Sequence, residues 1–323
     1  EIYRGGGEYG RPPFNPAQLL KMCLLAYFYN LSERQVEVHV NENLPAKYFV
    51  GLGLDQRAPD HSTLSRFRDR LTEQGNLEIF EHLLAEIVQI AVKSGIQLGS
   101  IIVGDSVNSE ANVNTGKDHQ RKEDGKGPHD PDAKWGVKGK KKVKNQKGQN
   151  VDQVKYFYGY KSHVSMNAKS NLITSLEVTS GEAYDGHHFC SLVDQDLAKE
   201  LPVHTYTADR GYDDGHNHFY LEHSQLHSAI CLKDNRTQKK DANKEVWLEL
   251  IQTPAWQEGR KERYKIERKF GEAKQGHGLG RCRYLGLTGF GVQAYFTAIV
   301  LNLKQIVKST TGVGLKTKAM VMV

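Results

Sequence analysis

The stretch Arg260-Lys-Glu-Arg263-Tyr-Lys-Ile-Glu267-Arg-Lys-Phe-Gly-Glu-Ala-Lys274 puts three charged side chains on one helical face. An α-helix turns about 100° per residue, so Arg263, Glu267 and Lys274 fall within roughly 40° of one another, and Glu262 and Glu272 point elsewhere. Ile266, Phe270 and Ala273 form an apolar stripe beside them. That pattern suits a helix packed on a core and holding one carboxylate at the core's edge. Taken alone it suits equally well a solvated helix with an ordinary Arg263–Glu267 pair. The chain before it decides between the two.

Ile101-Ile-Val-Gly104-Asp105 is a short β-branched run, predicted as a buried strand delivering Asp105 at its C-terminal end. Tyr156 to Met166 alternates as a strand, Asn167 to Asn171 turns, and Leu172 to Val178 pairs back as a hairpin. A loop to His188 and a helix to about Glu200 follow. Val203-His-Thr-Tyr-Thr-Ala208-Asp209 then repeats the first arrangement, ending in a second aspartate before a Gly-containing turn. Ser228 to Leu232 reads as another strand, Lys233 to Lys244 as a polar segment, and Val292 to Ile306 as a final apolar helix. The predicted order is β, a β-hairpin, α, β, α, β, α, α: an α/β fold with a mixed five-stranded sheet flanked by helices.

Asp105, Asp209 and Glu267 are thus two carboxylates at strand ends and one on a helix. Three such groups converging without a cation would repel one another. Hard oxygen ligands with no softer partner favour Mg2+ or Mn2+, and two such ions about 4 Å apart suit in-line displacement at phosphorus. Arg263 and Lys274 then serve as donors to phosphates flanking the scissile bond. A second cluster, His216, His218, His223 and His227, lacks Asp or Cys at ligand spacing and reads as a solvated face.

Upstream, Pro16 opens a helix with Leu19, Leu20, Cys23, Leu24, Tyr27 and Phe28 on its buried side, and Ser32 with Gln35 caps a second through about Asn41, which Pro45 ends. Pro59-Asp60-His61-Ser62 starts a third with Leu64, Phe67 and Leu71 inward. This small all-α unit is helix-turn-helix-like, and His61, Ser62, Ser65 and Arg66 would reach base edges from its last helix. A plain bundle with surface arginines fits nearly as well. Leu77 to Val92 forms one more helix, closed by Gly95. The expected division is 1–95 helical and DNA-binding, 96–310 catalytic with a basic flexible insertion at 116–150, and a tail at 311–323.

The 323 residues carry a net charge of +6. Residues 116–150 hold eleven Lys/Arg against five Asp/Glu, so this one segment accounts for the whole excess. A run such as Lys138-Gly-Lys140-Lys141-Lys142-Val-Lys144 attracts a polyanion, or is simply a solvated loop. Cys23, Cys190, Cys231 and Cys282 are scattered and suggest neither zinc nor a disulfide framework. No apolar run of about 18 residues stands out, there is no signal-peptide pattern, and a reduced cytoplasmic setting without a membrane is expected. The chain opens on Glu1, so an upstream segment is expected too.

These residues resemble the DDE transposases of bacterial insertion sequences, whose catalytic domain is ribonuclease-H-like. Their signature Tyr-x2-Arg-x3-Glu-x6-Lys is matched by Arg263, Glu267 and Lys274, with Arg260 in the tyrosine's place. Gly104-Asp105-Ser106, Ala208-Asp209-Arg-Gly-Tyr212, Arg11 to Lys21, Pro59 to Arg68, Tyr158-Gly-Tyr-Lys161 and Gly278 to Gly286 also resemble the family. Only 58 positions separate Asp209 from Glu267, too few for the large β-rich insertion some relatives carry. The resemblance implies metal-dependent cleavage at element ends and attack of the freed 3′-hydroxyl on target DNA. It implies terminal inverted repeats and target DNA as partners, DNA contacts by Lys161, Arg210, Lys140, Lys141 and Lys142, a homodimer on DNA, and a place at the bacterial nucleoid. Alternatives are a nuclease that only hydrolyses and a catalytically silent DNA-binding descendant.

Overall fold

The computed structural model describes residues 13–72, 75–144, 150–238 and 242–315. Four short helices come first: α1 (Pro16–Phe28), α2 (Glu33–Glu42), α3 (Leu44–Val50) and α4 (His61–Leu71). Ser32 and Gln35 form the reciprocal cap anticipated for α2, and Asp60 caps α4 through the Thr63 N–H. Pro45 does not end the chain's helical course. It lies in the first turn of α3, where a missing N–H costs nothing, and Asn43 caps that turn. Leu19, Met22, Val36, Val40, Leu64 and Phe67 close a separate apolar core among these four helices.

α5 (Glu78–Lys93) belongs elsewhere. Its Phe80, Leu84 and Ile87 join the core under the sheet. The sheet starts with β1 (Ile101–Glu110), continues through α6 (Thr115–Glu123), β2 (Lys134–Lys144), β3 (Asn150–Asn167) and β4 (Ile173–Ser180), crosses over by α7 (Phe189–Leu197) to β5 (Thr205–Thr207), and by α8 (Gly215–His223) to β6 (His227–Ser228). β3 pairs antiparallel with β1, with β4 along its second half and with β2 along its first. β5 lies parallel on the other edge of β1, and β6 parallel beyond it. Parallel neighbours need a long crossover, which α7 and α8 supply. A three-strand antiparallel meander extended by two parallel strands is the ribbonlike core of a ribonuclease-H-like fold.

Four helices complete the chain: α9 (Lys244–Gln252), α10 (Pro254–Glu262), α11 (Tyr264–His277) and α12 (Gly286–Thr311). α12 is the spine of the main core. Phe290, Val292, Phe296, Ile299 and Val300 are all buried against β4, α5 and α1. Each fully buried phenylalanine contributes roughly 1.5–3 kcal/mol.

Several expectations change. The sheet has six strands among the described residues rather than five, because the 116–150 segment is not a loop: it supplies α6 and β2. Its lysines masked the strand. Trp135, Val137 and Val143 pair across to Tyr158, Tyr156 and Val151, and a strand with solvent on both faces tolerates charge at every other position. β1 runs five residues past Asp105, so that acid sits mid-strand. The stretch 260–274 is two helices meeting at Arg263 instead of one. The β6 strand spans two residues, not the five anticipated. Finally, α12 is long and apolar enough to span a membrane by length and composition, and most of it is buried in the protein's own core.

Candidate active site

β1 and β5 run parallel and in register, Ile101 beside Thr205 and Val103 beside Thr207. Two residues further along each chain stand Asp105, still within β1, and Asp209, just past the end of β5, near enough that the charge of Asp209 acts on Asp105. Asp105 accepts the Ser106 N–H at 2.8 Å. Asp209 caps a single 3-10 turn at Arg210–Tyr212, its Oδ1 accepting the Gly211 N–H at 2.7 Å. Loss of solvent and then the charge of Asp209 push the Asp105 carboxyl up to about 7, with Asp185 adding to the rise, while the Ser106 N–H and the Arg263 guanidinium oppose it. The two acids are close enough to repel, as sequence spacing suggested.

Glu267 does not join them. It is 55% exposed on α11 and bound to Arg263 at 2.7 Å, one turn away. Among the described residues no three His, Cys, Asp or Glu stand close enough together to hold a metal ion. Arg263 acts on both sides, pairing with Glu267 and lowering the cost of charge on Asp105. The two glutamates set aside on helical angle are occupied: Glu262 by Lys265, Glu272 by Lys304 and Lys269.

α10 reaches the sheet through Gly259. A Cβ there would come 2.5 Å from the Ala229 Cβ, so only glycine lets the helix lie this low over β5 and β6. Arg260, next in the chain, donates to Cys231 Sγ and stacks over the Trp256 ring at 5.2 Å. The residue in the signature tyrosine's place is therefore turned to the strand edge.

The remaining candidates scatter. Lys161 is nearly buried, donating at 2.8 Å to Asp185 and to the Ala183 carbonyl. Lys274 donates to Asn108 on β1. Arg210 pairs at the surface with Asp234. On α4, His61 binds Glu37, Ser62 binds Asp60 and Ser65 binds Glu33, whereas Arg66 is exposed. Lys141 and Lys142 are exposed on β2, and the Lys140 side chain lies outside the described ones. The four histidines disperse: His216 lies near Tyr220 and His223 near Phe219 on α8, His227 is exposed on β6, and His218, against the expected solvated face, is buried between Asp213 and Ser228.

Two residues of the site escaped the sequence reading. Asp185 lies in a loop that looked featureless, yet it is the third acid whose charge reaches Asp105. Tyr212 is buried among Asp105, Asp185 and Asp209, and burial followed by those charges holds its phenol well above the ordinary range. Its place three residues after Asp209 was the available signal.

A ribonuclease-H-like sheet with paired aspartates on its first strand and on the strand beside it defines a class of enzyme acting on polynucleotide phosphodiesters. The transposase domain (DUF772) family matches residues 1–70, and the transposase DDE domain family matches residues 116–303, more than half of the chain. The chain belongs to the DDE transposases, enzymes of DNA transposition that cleave and join DNA. The matched span holds Asp209 and Glu267 and begins past Asp105. Among solved structures, the Mos1 transposase paired-end complex with left transposon end is 12% identical over 85% of this chain and 83% of that chain, with a TM-score of 0.22. The Mos1 mariner paired end complex with Mn is 12% identical over 95% and 82%, at 0.23, and the Mos1 strand transfer complex 11% over 95% and 82%, at 0.22. The family assignment rests on the two family matches.

Proposed function

We propose that Asp105, Asp209 and Glu267 form the catalytic centre of this transposase, and that it cuts DNA at element ends and transfers the freed 3′-hydroxyl into target DNA. The observation that supports this reading is the parallel register of β1 and β5, two residues beyond which come Asp105 and Asp209, with the Asp209 charge acting on Asp105. The donors suit a hard divalent cation, Mg2+ or Mn2+: burial and then the charge of Asp209 raise Asp105, and positive charge between the two carboxylates would offset both. Two such ions, when bound, polarise the scissile phosphate and activate the attacking oxygen.

The chain's own residues do the rest. Glu267 must leave Arg263 to face the strand pair, and a DNA phosphate competes for that guanidinium. Lys274, at the far end of β1, binds the phosphate backbone beyond the cut. The helical unit recognises terminal inverted repeats, with Arg66 as its exposed base-reading side chain, and on β2 Lys140, Lys141 and Lys142 contact backbone. Arg210 and Lys161 add contacts once their aspartate partners are displaced. Two copies act together on paired ends, in the bacterial cytoplasm at the nucleoid, with α1–α4 as the helical unit and α5 joining the catalytic core ahead of the boundary expected at 95.

The test is cleavage and joining of end-containing DNA with Mg2+. Wild-type product with none from Asp209→Asn or Glu267→Gln supports the triad, and unchanged product from either variant removes that residue from it. Hydrolysed but never joined ends would reduce the activity to that of a nuclease.

A further inference from the structure

The first half of β3, residues 150–158, pairs with β2 and with no other described strand, since β1 ends opposite Gly159 and β4 opposite Tyr160. β2 and this half of β3 therefore leave the sheet as a two-stranded ribbon. At about 3.4 Å per residue, the eleven residues of β2 extend roughly 35 Å, one turn of B-DNA.

The base of the ribbon is fixed. Asp130, fully buried, accepts from the Tyr160 hydroxyl at 2.6 Å and from the Gly286 N–H at the start of α12. Gly136 lies where a Cβ would meet the Gly181 carbonyl oxygen at 2.2 Å, so the first strand turns out of the sheet tightly against β4's end. Beyond that base the ribbon is solvated and basic. Residues 134–158 contain eight lysines and one aspartate, more positive charge than the chain's net +6. Trp135, Val137 and Tyr156 stand together, about three-fifths exposed at Trp135 and Tyr156.

Lysines on a sheet edge often serve only to block pairing with other chains. That purpose does not account for exposed aromatic side chains among them, which make an edge more adhesive. Nor does it account for position. Lys138 lies 3.8 Å from Glu110, and its charge bears on Lys274, so the ribbon springs from the end of β1, about 17 Å along the strand from Asp105. Two strands about 4.8 Å apart with side chains match the roughly 12 Å major groove as it stands, whereas the roughly 6 Å minor groove would have to be widened to admit them.

We infer that this ribbon lies in the major groove of duplex DNA next to the catalytic cleft, lysines on the flanking phosphates and Trp135, Val137 and Tyr156 against base edges. The inference rests on the reading of the basic segment as a DNA contact and adds its geometry.

The experiment measures Kd for a 30-base-pair duplex carrying no element end, across a salt series, by wild type, by the triple variant Lys141→Gln, Lys142→Gln, Lys144→Gln, and by Arg66→Gln. Each phosphate contact contributes about 0.9 to the slope of log K against log salt, so the triple variant should lose up to about three units. The same duplex with glucosylated hydroxymethylcytosine, which fills the major groove, should bind wild type at least tenfold more weakly, and minor-groove saturation with netropsin should leave binding unchanged. Trp135→Phe should abolish the fluorescence change on DNA addition, since Trp135 is the exposed tryptophan of the three. An unchanged slope in the triple variant, while Arg66→Gln weakens binding, overturns the ribbon and leaves the helical unit's role standing. Competition by netropsin but not by glucosylation overturns the groove assignment. If no protein binds duplex at all, the reading of the basic segment falls with it. All substituted side chains are solvent-exposed, and an unchanged melting temperature verifies that each variant is folded.

Discussion

The acids borne by strands and the acid borne by a helix obey different physics. Asp105 sits within β1, and Asp209 follows directly on β5, the strand paired in register with β1, held there by its hydrogen bond from the Gly211 N–H, so the backbone keeps the two acids near one another. Glu267 projects from the first turn of a helix into solvent and has found its own counter-ion in Arg263. The strand pair is preorganised and costly without a cation, whereas the helix acid is comfortable and out of place. If the three acids form the proposed metal site, it is the helix, not the sheet, that completes it.

The largest expected effects test that division on activity. Asp209→Asn and Glu267→Gln should each reduce end cleavage to background, although only one of the two residues sits in the preorganised half. If Glu267→Gln retains wild-type cleavage in a gel assay, the helix contributes no ligand and the comparison collapses. Next come the stabilities of the metal-free protein. Asp105→Asn removes a buried repulsion and should raise the melting temperature by at least about 2 °C in calorimetry. Glu267→Gln breaks an exposed pair and should change stability by less than about 1 kcal/mol.

Two more substitutions on the same helical stretch sharpen the contrast. Lys304 and Lys269 hold the Glu272 carboxyl below its usual 4.5 despite partial burial. Its folded pKa is depressed, so the stability it provides is present above pH 4.5 and is lost as pH falls through the lowered value. Glu272→Gln should cost about 1 kcal/mol at pH 7 by urea denaturation, with wild-type and variant curves converging below pH 4. Smallest is Glu262→Gln, which loses a half-exposed pair with Lys265 and should shift stability by no more than about 0.5 kcal/mol.

How much of this was readable beforehand varied with the kind of interaction. The helix cap of Ser32 with Gln35 and the helix start at Pro59 to Ser62 are local, and the sequence announced them. The placement of Asp105 and Asp209 on neighbouring strands followed from two similar apolar runs, each ending in an aspartate. β2 was hidden because its lysines outweigh its alternation. Asp185 was hidden for another reason: it reaches the centre only through the chain reversal after β4, which no periodicity records. The state of Glu267 was illegible in principle. Helical angle showed that Arg263 and Glu267 share a face, but whether they hold each other or a phosphate and a metal depends on what else is bound.

One feature gives the molecule a ruler. The helical unit is clamped to the catalytic half: the Tyr27 ring stacks on Phe296 at 4.9 Å, Arg283 lies over the Tyr27 ring and donates to Leu31 and Asn30, and His277 meets the Tyr27 carbonyl oxygen. Arg68 of α4 lies over the Tyr284 ring at 4.1 Å. With both units locked to one frame, base pairs gripped by the helical unit, as proposed, would lie at a set offset from the acids. Rigidity would then set the position of the cut, and Arg283→Ala should spread the cut sites mapped on a sequencing gel before it lowers total product.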